Sequence, residues 1–416
     1  MLEIFAKNYR GFKDLSVDLT KTIFLVGDNS SGKSSFIYLI DYVIRTEFFG
    51  PVRLETDSSG GDYDFFSPYF DNDDVTIGFK TKENDSTFYK LITISKMKGF
   101  KPPLVKKITC VKDDTEFSIL HMETHVSAKF KKHSEIKDIF SVHANNHGYR
   151  KIDLPKSNPI NTQSSFLGAA TSLKHSDMMY MYKTLTDFLE PKLDRFRVFS
   201  SLRANPSSYY DYQWRVQKEG NHFASILYYM FNDWAESKKN QAKKLIISYG
   251  KDSGLFDEID TQQISTVIEG SPIAIFLQRG SKKFSMTQVG FGVSQSIPIV
   301  VELAHAYLQN SSILFGIQQP EVHLHPKAQA AMGGFLFEVS NKKLNIIVET
   351  HSDFIIDRFR SMQKKAKKKV HSEVLFFEHS DAGNTMHKMT IADDGTVLNQ
   401  PDAYRDFFIK EYMKTL

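Results

Sequence analysis

The chain has few of the features that mark secreted or membrane proteins. It has 416 residues but a single cysteine, Cys110, so an intramolecular disulfide framework is excluded and a reducing compartment is expected. No apolar run approaches the roughly 20 residues that span a bilayer, and the first residues do not follow a signal-peptide pattern. We therefore expect a cytoplasmic protein without a membrane partner.

A strong excess of one charge is also missing. The 53 basic and 49 acidic residues leave a net charge of +4, which is too small to indicate a nucleic-acid-binding protein by itself. The chain also has no long heptad-bearing insert of the kind that forms a coiled coil. Its hydrophobic content of 41% is that of an ordinary globular protein, and its length allows two or three cores.

The clearest feature present is a glycine-rich loop between an apolar strand and a helix. The strand pattern covers residues 22–26, the loop reads G-x-x-x-x-G-K-S, and a helical pattern follows. Glycines let backbone N–H groups turn toward a polyphosphate, which the positive N-terminus of the helix also attracts. The pattern predicts a phosphate-binding P-loop. Its residues are Gly27, Asp28, Asn29, Ser30, Ser31, Gly32, Lys33, Ser34 and Ser35.

Three later segments place polar residues at a helix start or at strand ends. Residues 285–296 contain Gly292 and Ser294 just before an apolar helical pattern, a weak anion-binding signal when taken alone. The strand pattern of residues 313–317 leads into the stretch Q-Q-P-E-V-H-L-H-P, and that of residues 344–348 leads into E-T-H-S-D. Together with the P-loop, these segments predict one composite nucleotide site.

This set of motifs resembles the ABC-type ATPases of the OLD, SMC and RecF-like class, in particular small bacterial members without a fused TOPRIM nuclease domain. The resemblance covers residues 1–48 and 196–416, and it includes the pair Phe407 and Phe408 near the C-terminus. It implies an α/β fold: an ABC-ATPase head with a mixed P-loop sheet, an antiparallel β lobe, a helical lobe and a mainly helical insertion. It implies ATP and Mg²⁺ as cofactors.

The resemblance also implies roles for single residues. Gly292 and Ser294 would form a signature loop that closes over the γ-phosphate held by a second protomer, so that a head-to-tail homodimer encloses two ATP molecules. His351 would be the switch histidine that hydrogen-bonds the γ-phosphate. Arg203 follows a strand pattern over residues 196–202 and would face the nucleotide or its water; a structural salt bridge is the alternative.

The chain departs from the family pattern at its acidic pair. Ser34 and Gln318 stand at the Mg²⁺-associated positions, and Gln319 stands where the family usually places the acid that polarises the attacking water. Glutamine carries no negative charge and accepts no proton, so hydrolysis is expected to be slow or absent. Whether Gln318 is natural or was introduced to trap ATP stays open, and Glu321 remains a possible acid.

Several other residues allow two interpretations. His323 and His325 could bind zinc, but the family uses this turn as a D-loop that contacts the other protomer. Arg10 or Lys13 could pack near the adenine or could be an exposed hairpin tip. The basic run at residues 364–369 could contact DNA phosphates or could be a solvated helix end.

The motifs suggest four segments along the chain. Residues 1–113 are predicted to form the N-terminal ATPase lobe with the P-loop and a β meander. Residues 114–190 are predicted to be a helical insertion and a possible recognition element, with its clearest helix at residues 177–189. Residues 191–360 would form the C-terminal ATPase lobe, and residues 361–416 a basic segment and a closing hairpin.

The resemblance predicts a function as well as a fold. We expect an ATPase that dimerises around ATP and acts as a sensor or scaffold for a separate effector, such as a nuclease or toxin, in bacterial anti-phage defence. Only 65 residues follow His351, too few for a fused TOPRIM domain. The alternatives are a RecF-like DNA-repair ATPase, which would bind nucleic acid, and a non-hydrolysing, nucleotide-gated structural module.

Overall fold

The computed structural model describes residues 2–19, 22–45, 74–83, 85–95, 104–122, 125–152, 196–201, 203, 205–265, 270–340, 344–381, 383–404 and 406. These residues fall into two compact units. The first is drawn from Met1–Thr20, Ser30–Leu193 and Glu378–Thr385, and the second from Lys21–Asn29, Asp194–Phe377 and Met386–Leu416.

The first unit is built on an eight-stranded sheet in which neighbouring strands pair antiparallel. The strands follow the order β2-β1-β4-β5-β6-β7-β8-β9. The N-terminal hairpin and the β meander expected within residues 1–113 are confirmed. The elements of this unit are β1 (Leu2–Tyr9), β2 (Phe12–Asp18), α1 (Lys33–Arg45), β4 (Val75–Glu83), β5 (Ser86–Ser95), β6 (Leu104–Lys112), β7 (Thr115–His121), β8 (Val126–Lys132), α2 (Ile139–Ala144) and β9 (Arg150–Ile152).

The prediction of a mainly helical segment over residues 114–190 is wrong for its described part, which ends at residue 152. That part forms β7, β8 and β9 and one short helix, α2. Within this part, Glu116 and Lys129 are buried as an ion pair with a 2.7 Å contact. The helix predicted at residues 177–189 lies outside the described residues. Cys110, on β6, is buried, and burial raises the pKa of its thiol.

The second unit contains the P-loop strand in a seven-stranded mixed sheet of order β10-β14-β15-β3-β16-β17-β18. The strands from β10 to β3 pair in parallel, as does β16 with β3. Strands buried on both faces need continuous apolar runs, so the parallel strands could be predicted from the sequence. They are β3 (Thr22–Gly27), β10 (Phe196–Phe199), β14 (Leu314–Gln318), β15 (Asn345–Glu349), β16 (Ser372–Ser380), β17 (Gly383–Ile391) and β18 (Val397–Leu398).

Helices and a small sheet complete the second unit. A large apolar core joins the sheet to helix α5, of which 13 residues are buried. The helices are α3 (Phe223–Asn232), α4 (Glu236–Ser253), α5 (Phe291–Leu308), α6 (Pro326–Ser340) and α7 (Asp353–Lys365), and the small antiparallel sheet is β11 (Glu258–Gln263), β12 (Ile273–Arg279) and β13 (Lys282–Ser285). Within the described part of the chain, no helix has both the length and the apolar character needed to cross a bilayer.

Candidate nucleotide site

The phosphate loop begins where β3 ends, in the second unit. Gly27 has a φ of 141°, and a Cβ on it would lie 2.1 Å from the carbonyl oxygen of Phe377 on the neighbouring strand β16. Both observations require glycine at this position. Asp28 and Asn29 follow on the exposed side of the loop. The loop therefore leaves the sheet through a turn that no other residue could make without moving β16.

The rest of the loop belongs to the first unit and ends in helix α1. Ser30 has a φ of 64° and Gly32 one of 103°, and a Cβ on Gly32 would lie 2.4 Å from the ring of Phe12. Ser31 is fully buried, and its hydroxyl has no hydrogen-bond partner among the described residues. A buried hydroxyl without a partner is rare, and it could donate to an anion held by this loop. Lys33, the first residue of α1, is 4% exposed.

The hairpin β1–β2 holds the start of α1. The guanidinium of Arg10 donates a 2.6 Å hydrogen bond to the hydroxyl of Ser35, and the hydroxyl of Tyr9 donates to the Ser35 carbonyl at 3.0 Å. Arg10 also lies 5.9 Å from the ring centroid of Tyr38, which is 40% exposed. Arg10 thus positions the helix that carries Lys33 and Ser34, whereas Lys13 is exposed on β2.

In the second unit, the carboxyl ends of β14 and β15 form a polar edge. Gln318 and Glu349 are register partners, and the Gln318 side-chain amide donates a 3.2 Å hydrogen bond to the Glu349 carboxylate. The next residue, Gln319, donates its backbone N–H to the Glu349 carbonyl at 2.7 Å and has a φ of 44°. A left-handed backbone is unusual for glutamine, and such strain collects at functional sites.

Glu321 organises the turn after β15. Its carboxylate accepts hydrogen bonds of 2.8 Å from the Thr350 hydroxyl and from the backbone N–H of His351. Burial raises the pKa of Glu321, and these hydrogen bonds and the charge of Arg203 partly oppose the shift. Helix α7 is capped by Ser352, whose hydroxyl accepts from the N–H of Ile355, and Asp353 is the first helical residue.

Arg203 lies against the same turn. It is 7% exposed and donates from Nη2 to the backbone carbonyls of Gln318, at 2.8 Å, and Gln319, at 3.4 Å. Its Nε and Nη1 have no hydrogen-bond partner in the described part of the chain. Burial lowers the pKa of this guanidinium to about 10, although the nearby Glu321 carboxylate acts in the opposite direction. A buried guanidinium with spare donors can bind an anion.

The predicted signature loop forms the start of α5. Gly292 lies under the turn of His323, since a Cβ there would be 2.5 Å from the His323 carbonyl oxygen. Ser294 is 3% exposed, and its hydroxyl donates to the Phe291 carbonyl at 2.9 Å. It would have to exchange this partner to contact a phosphate. Phe291 is 51% exposed and lies 5.6 Å from the His323 ring, centroid to centroid.

The histidines of this turn do not form a metal cluster. No group of three or more potential metal-binding side chains occurs within the ranges that the structure describes. His323 instead has a φ of 63° and faces Phe291, while the backbone N–H of Lys327, in the first turn of α6, lies 3.4 Å from Nδ1 of His325. The zinc interpretation thus lacks a ligand set among these residues.

The predicted site residues of the second unit gather mainly at one edge of its sheet. Gly27, Gln318, Gln319, Arg203 and His351 lie at or just beyond the carboxyl ends of parallel strands, where open α/β sheets bind ligands. Sequence reasoning missed Glu349 as a member of this edge. The acid is visible as the last residue of an apolar strand pattern, but its pairing with Gln318 requires the order of the strands. A glycine-lined phosphate loop at such an edge defines a P-loop nucleotide-binding protein.

Comparisons with known proteins place the chain in a family. A model described as AAA_15, AAA ATPase domain, matches residues 1–356. The chain belongs to this AAA ATPase domain family and is an ATP-binding ATPase. No curated protein matched the chain.

Solved structures of SMC head domains are similar to this chain at low identity. One is the SMC head bound to the C-winged helix domain of ScpA, at 12% identity over 94% of this chain and 97% of that chain, with a TM-score of 0.43. The SMC head domain from Thermotoga maritima is 11% identical over 92% of this chain and 97% of that chain, with a TM-score of 0.40. A third structure is an SMC head with an extended coiled coil, bound to the C-terminal domain of ScpA derived from Pyrococcus furiosus. It is 12% identical over 100% of this chain and 100% of that chain, with a TM-score of 0.41.

Proposed function

We propose that this ATPase dimerises head to tail around ATP and acts as a sensor or scaffold that controls a separate effector. The observation that supports dimerisation is the start of α5. There, an exposed aromatic residue, Phe291, packs against His323 beside the exposed Gly290. Helix N-termini attract anions, and exposed aromatic side chains are common anchors of protein interfaces.

The P-loop would hold the triphosphate through its backbone N–H groups and Lys33. By the sequence resemblance, Ser34 and Gln318 are the Mg²⁺-associated positions, and hydroxyl and amide oxygens are the hard donors that this ion prefers. The buried, unpartnered hydroxyl of Ser31 fits a loop shaped for an anion. When bound, Mg²⁺ would neutralise charge on the β- and γ-phosphates.

The residues after β14 suggest slow hydrolysis. The Gln319 side chain can orient a water molecule but cannot take its proton. Glu321 is a carboxylate, but it accepts hydrogen bonds from the Thr350 hydroxyl and the His351 backbone N–H. We assign Glu321 to positioning His351, the candidate switch residue. This arrangement suits a protein whose ATP-bound state lasts long enough to signal.

The biological setting is proposed from the sequence resemblance to small bacterial OLD-like ATPases. In that setting the partner would be a separate nuclease or toxin, the compartment the cytoplasm, and the trigger a phage component or nucleic acid. A RecF-like repair ATPase is the alternative that would show turnover stimulated by DNA and strongly dependent on salt. Of the basic run, Lys369 donates to the carbonyls of Gln363 and Asp393, which gives it a structural role.

A second candidate function has a specific observation behind it. Gln318 and Gln319 are both neutral, so the chain could bind ATP without hydrolysing it and act as a nucleotide-gated structural module. The Gln318→Glu variant distinguishes the two candidates. Measurable turnover in this chain or in Q318E contradicts the non-hydrolysing module, and no turnover in either supports it.

Dimerisation is tested by measuring molar mass in light scattering coupled to gel filtration, with Mg²⁺ and a non-hydrolysable ATP analogue. We expect the mass to double with the triphosphate and not with ADP. Phe291→Ala should abolish the doubling and leave ATP binding intact. Phe354→Ala removes another exposed phenylalanine of the second unit, 44% exposed, and should change nothing. A monomer under all conditions, or a dimer that survives F291A, contradicts the proposed interface.

A further inference from the structure

In the second unit, two neighbouring strands end in an amide and a carboxylate side chain. β14 ends in an amide, Gln318, where the resembled family has a carboxylate, and β15 ends in a carboxylate, Glu349. We propose that Glu349 supplies the negative charge toward Mg²⁺ that Gln318 cannot supply. The acid that balances the metal in this chain then lies on β15. This proposal rests on the nucleotide site proposed above.

The geometry of the pair supports this assignment. The two residues are register partners, and the Gln318 Nε2 donates to Glu349 Oε2 at 3.2 Å. Because the nitrogen of the amide faces Glu349, its oxygen is the atom left to face a cation. Gln318 is 9% exposed and Glu349 is 5% exposed, so solvent screens the carboxylate only weakly.

The pair also lies next to the strand that carries the P-loop. Glu349 is the register partner of Leu25 on β3, and Gly27, the first residue of the phosphate loop, follows two residues later. Neighbouring strands are about 4.8 Å apart, so a carboxylate moved from β14 to β15 lies one strand closer to β3. Coulombic attraction falls only inversely with distance, so a charge displaced by one strand still attracts a divalent cation.

The other buried acid of this edge has a different task. Glu321 holds the Thr350 hydroxyl and the His351 N–H at 2.8 Å each, and it faces the charge of Arg203. Its loss would release the turn after β15. Mg²⁺ bound to phosphates usually keeps several waters and uses only one or two carboxylates. Glu349 alone is therefore sufficient for the charge balance.

The test measures Mn²⁺, as a probe for Mg²⁺, bound to the full chain with a non-hydrolysable ATP analogue, by electron paramagnetic resonance. Glu349→Gln should weaken Mn²⁺ about tenfold to 100-fold, the range found when groups that support a metal site are removed. Binding of the analogue in EDTA should stay within about twofold, since it measures no metal contact. The matched control is Glu373→Gln, which removes an acid that is 3% exposed near the start of β16.

The double variant Q318E/E349Q returns the carboxylate to β14 and keeps one acid and one amide in the pair. It should recover most of the Mn²⁺ affinity lost in E349Q, and it replaces that variant in the test if E349Q does not fold. Unchanged Mn²⁺ affinity in E349Q, or a double variant no better than E349Q, overturns the proposal. A wild-type chain that does not bind the analogue even in EDTA instead contradicts the proposed nucleotide site.

Discussion

A buried charge in the first unit and one in the second differ in how completely they are paired. In the first unit, Glu116 is fully buried and bonds to Lys129 and His133 at 2.7 Å each, and Ser118 also donates to it. In the second, Arg203 is buried with one nitrogen bonded to backbone carbonyls and two nitrogens without partners in the described residues. The first arrangement is complete in itself, whereas the second leaves donors that could bind an anion. The two arrangements therefore differ in how completely the buried charge is paired.

The largest effect is expected from breaking the complete cluster. Lys129→Met leaves Glu116 buried without its lysine, and removing one partner of a buried pair costs about 3 kcal/mol in the free energy of unfolding. Urea unfolding measures this loss. The control is Lys132→Met on the same strand, because its ion pair with Asp114 is exposed and should contribute less than about 1 kcal/mol. Equal losses in both variants would show that the buried cluster is not special.

The incomplete arrangement should respond differently to the loss of its charge. Arg203→Met should weaken binding of the ATP analogue by about tenfold to 100-fold, which corresponds to the loss of a hydrogen bond to a charged group. Binding of ADP should be weakened less. Calorimetric titration with both nucleotides measures the difference. Arg197→Met is the matched control, since Arg197 on β10 already bonds to Glu302 at 2.7 Å. It should reduce stability and leave the ATP to ADP ratio unchanged; the reverse result would make Arg203 a structural residue.

Part of the fold and of the candidate site was predictable from the sequence. The P-loop, the apolar strands β3, β14 and β15 and the hairpin β1–β2 follow from local patterns, because parallel strands buried on both faces need continuous apolar runs. The bond between Gln318 and Glu349 was not predictable in this way, since it depends on which strands are neighbours. The buried Glu116 cluster was also missed, because polar residues in a sequence suggest exposure.

A third effect concerns a buried histidine of the first unit. His143 lies between the hydroxyls of Thr93 and Thr109, and burial, aided by the charges of Lys107 and Lys129, lowers its pKa to about 3. The unfolded chain binds this proton near pH 6.5 and the folded chain does not, so stability is present above pH 6.5 and is lost as the pH falls toward 3.

Between pH 6.5 and pH 5 this loss should reach about 2 kcal/mol, at about 1.4 kcal/mol per pH unit. Urea unfolding across this range measures the slope, and His143→Gln should flatten it. His121, lowered by burial to a pKa of about 4, adds in the same direction and sets the residual slope of that variant. A slope that is unchanged in the variant would show that His143 is not responsible.

The smallest effect concerns the strained backbone at the end of β14. Gln319 has a φ of 44°, which costs a residue with a side chain about 1 kcal/mol, and glycine relieves this strain at some cost in chain entropy. Gln319→Gly should therefore raise the free energy of unfolding by up to about 1 kcal/mol. The comparison is Asn310→Gly after α5, where φ is 52°. Asparagine tolerates this region, so its gain should be smaller. A larger gain in the free energy of unfolding at Asn310 would mean that the backbone at Gln319 is not strained.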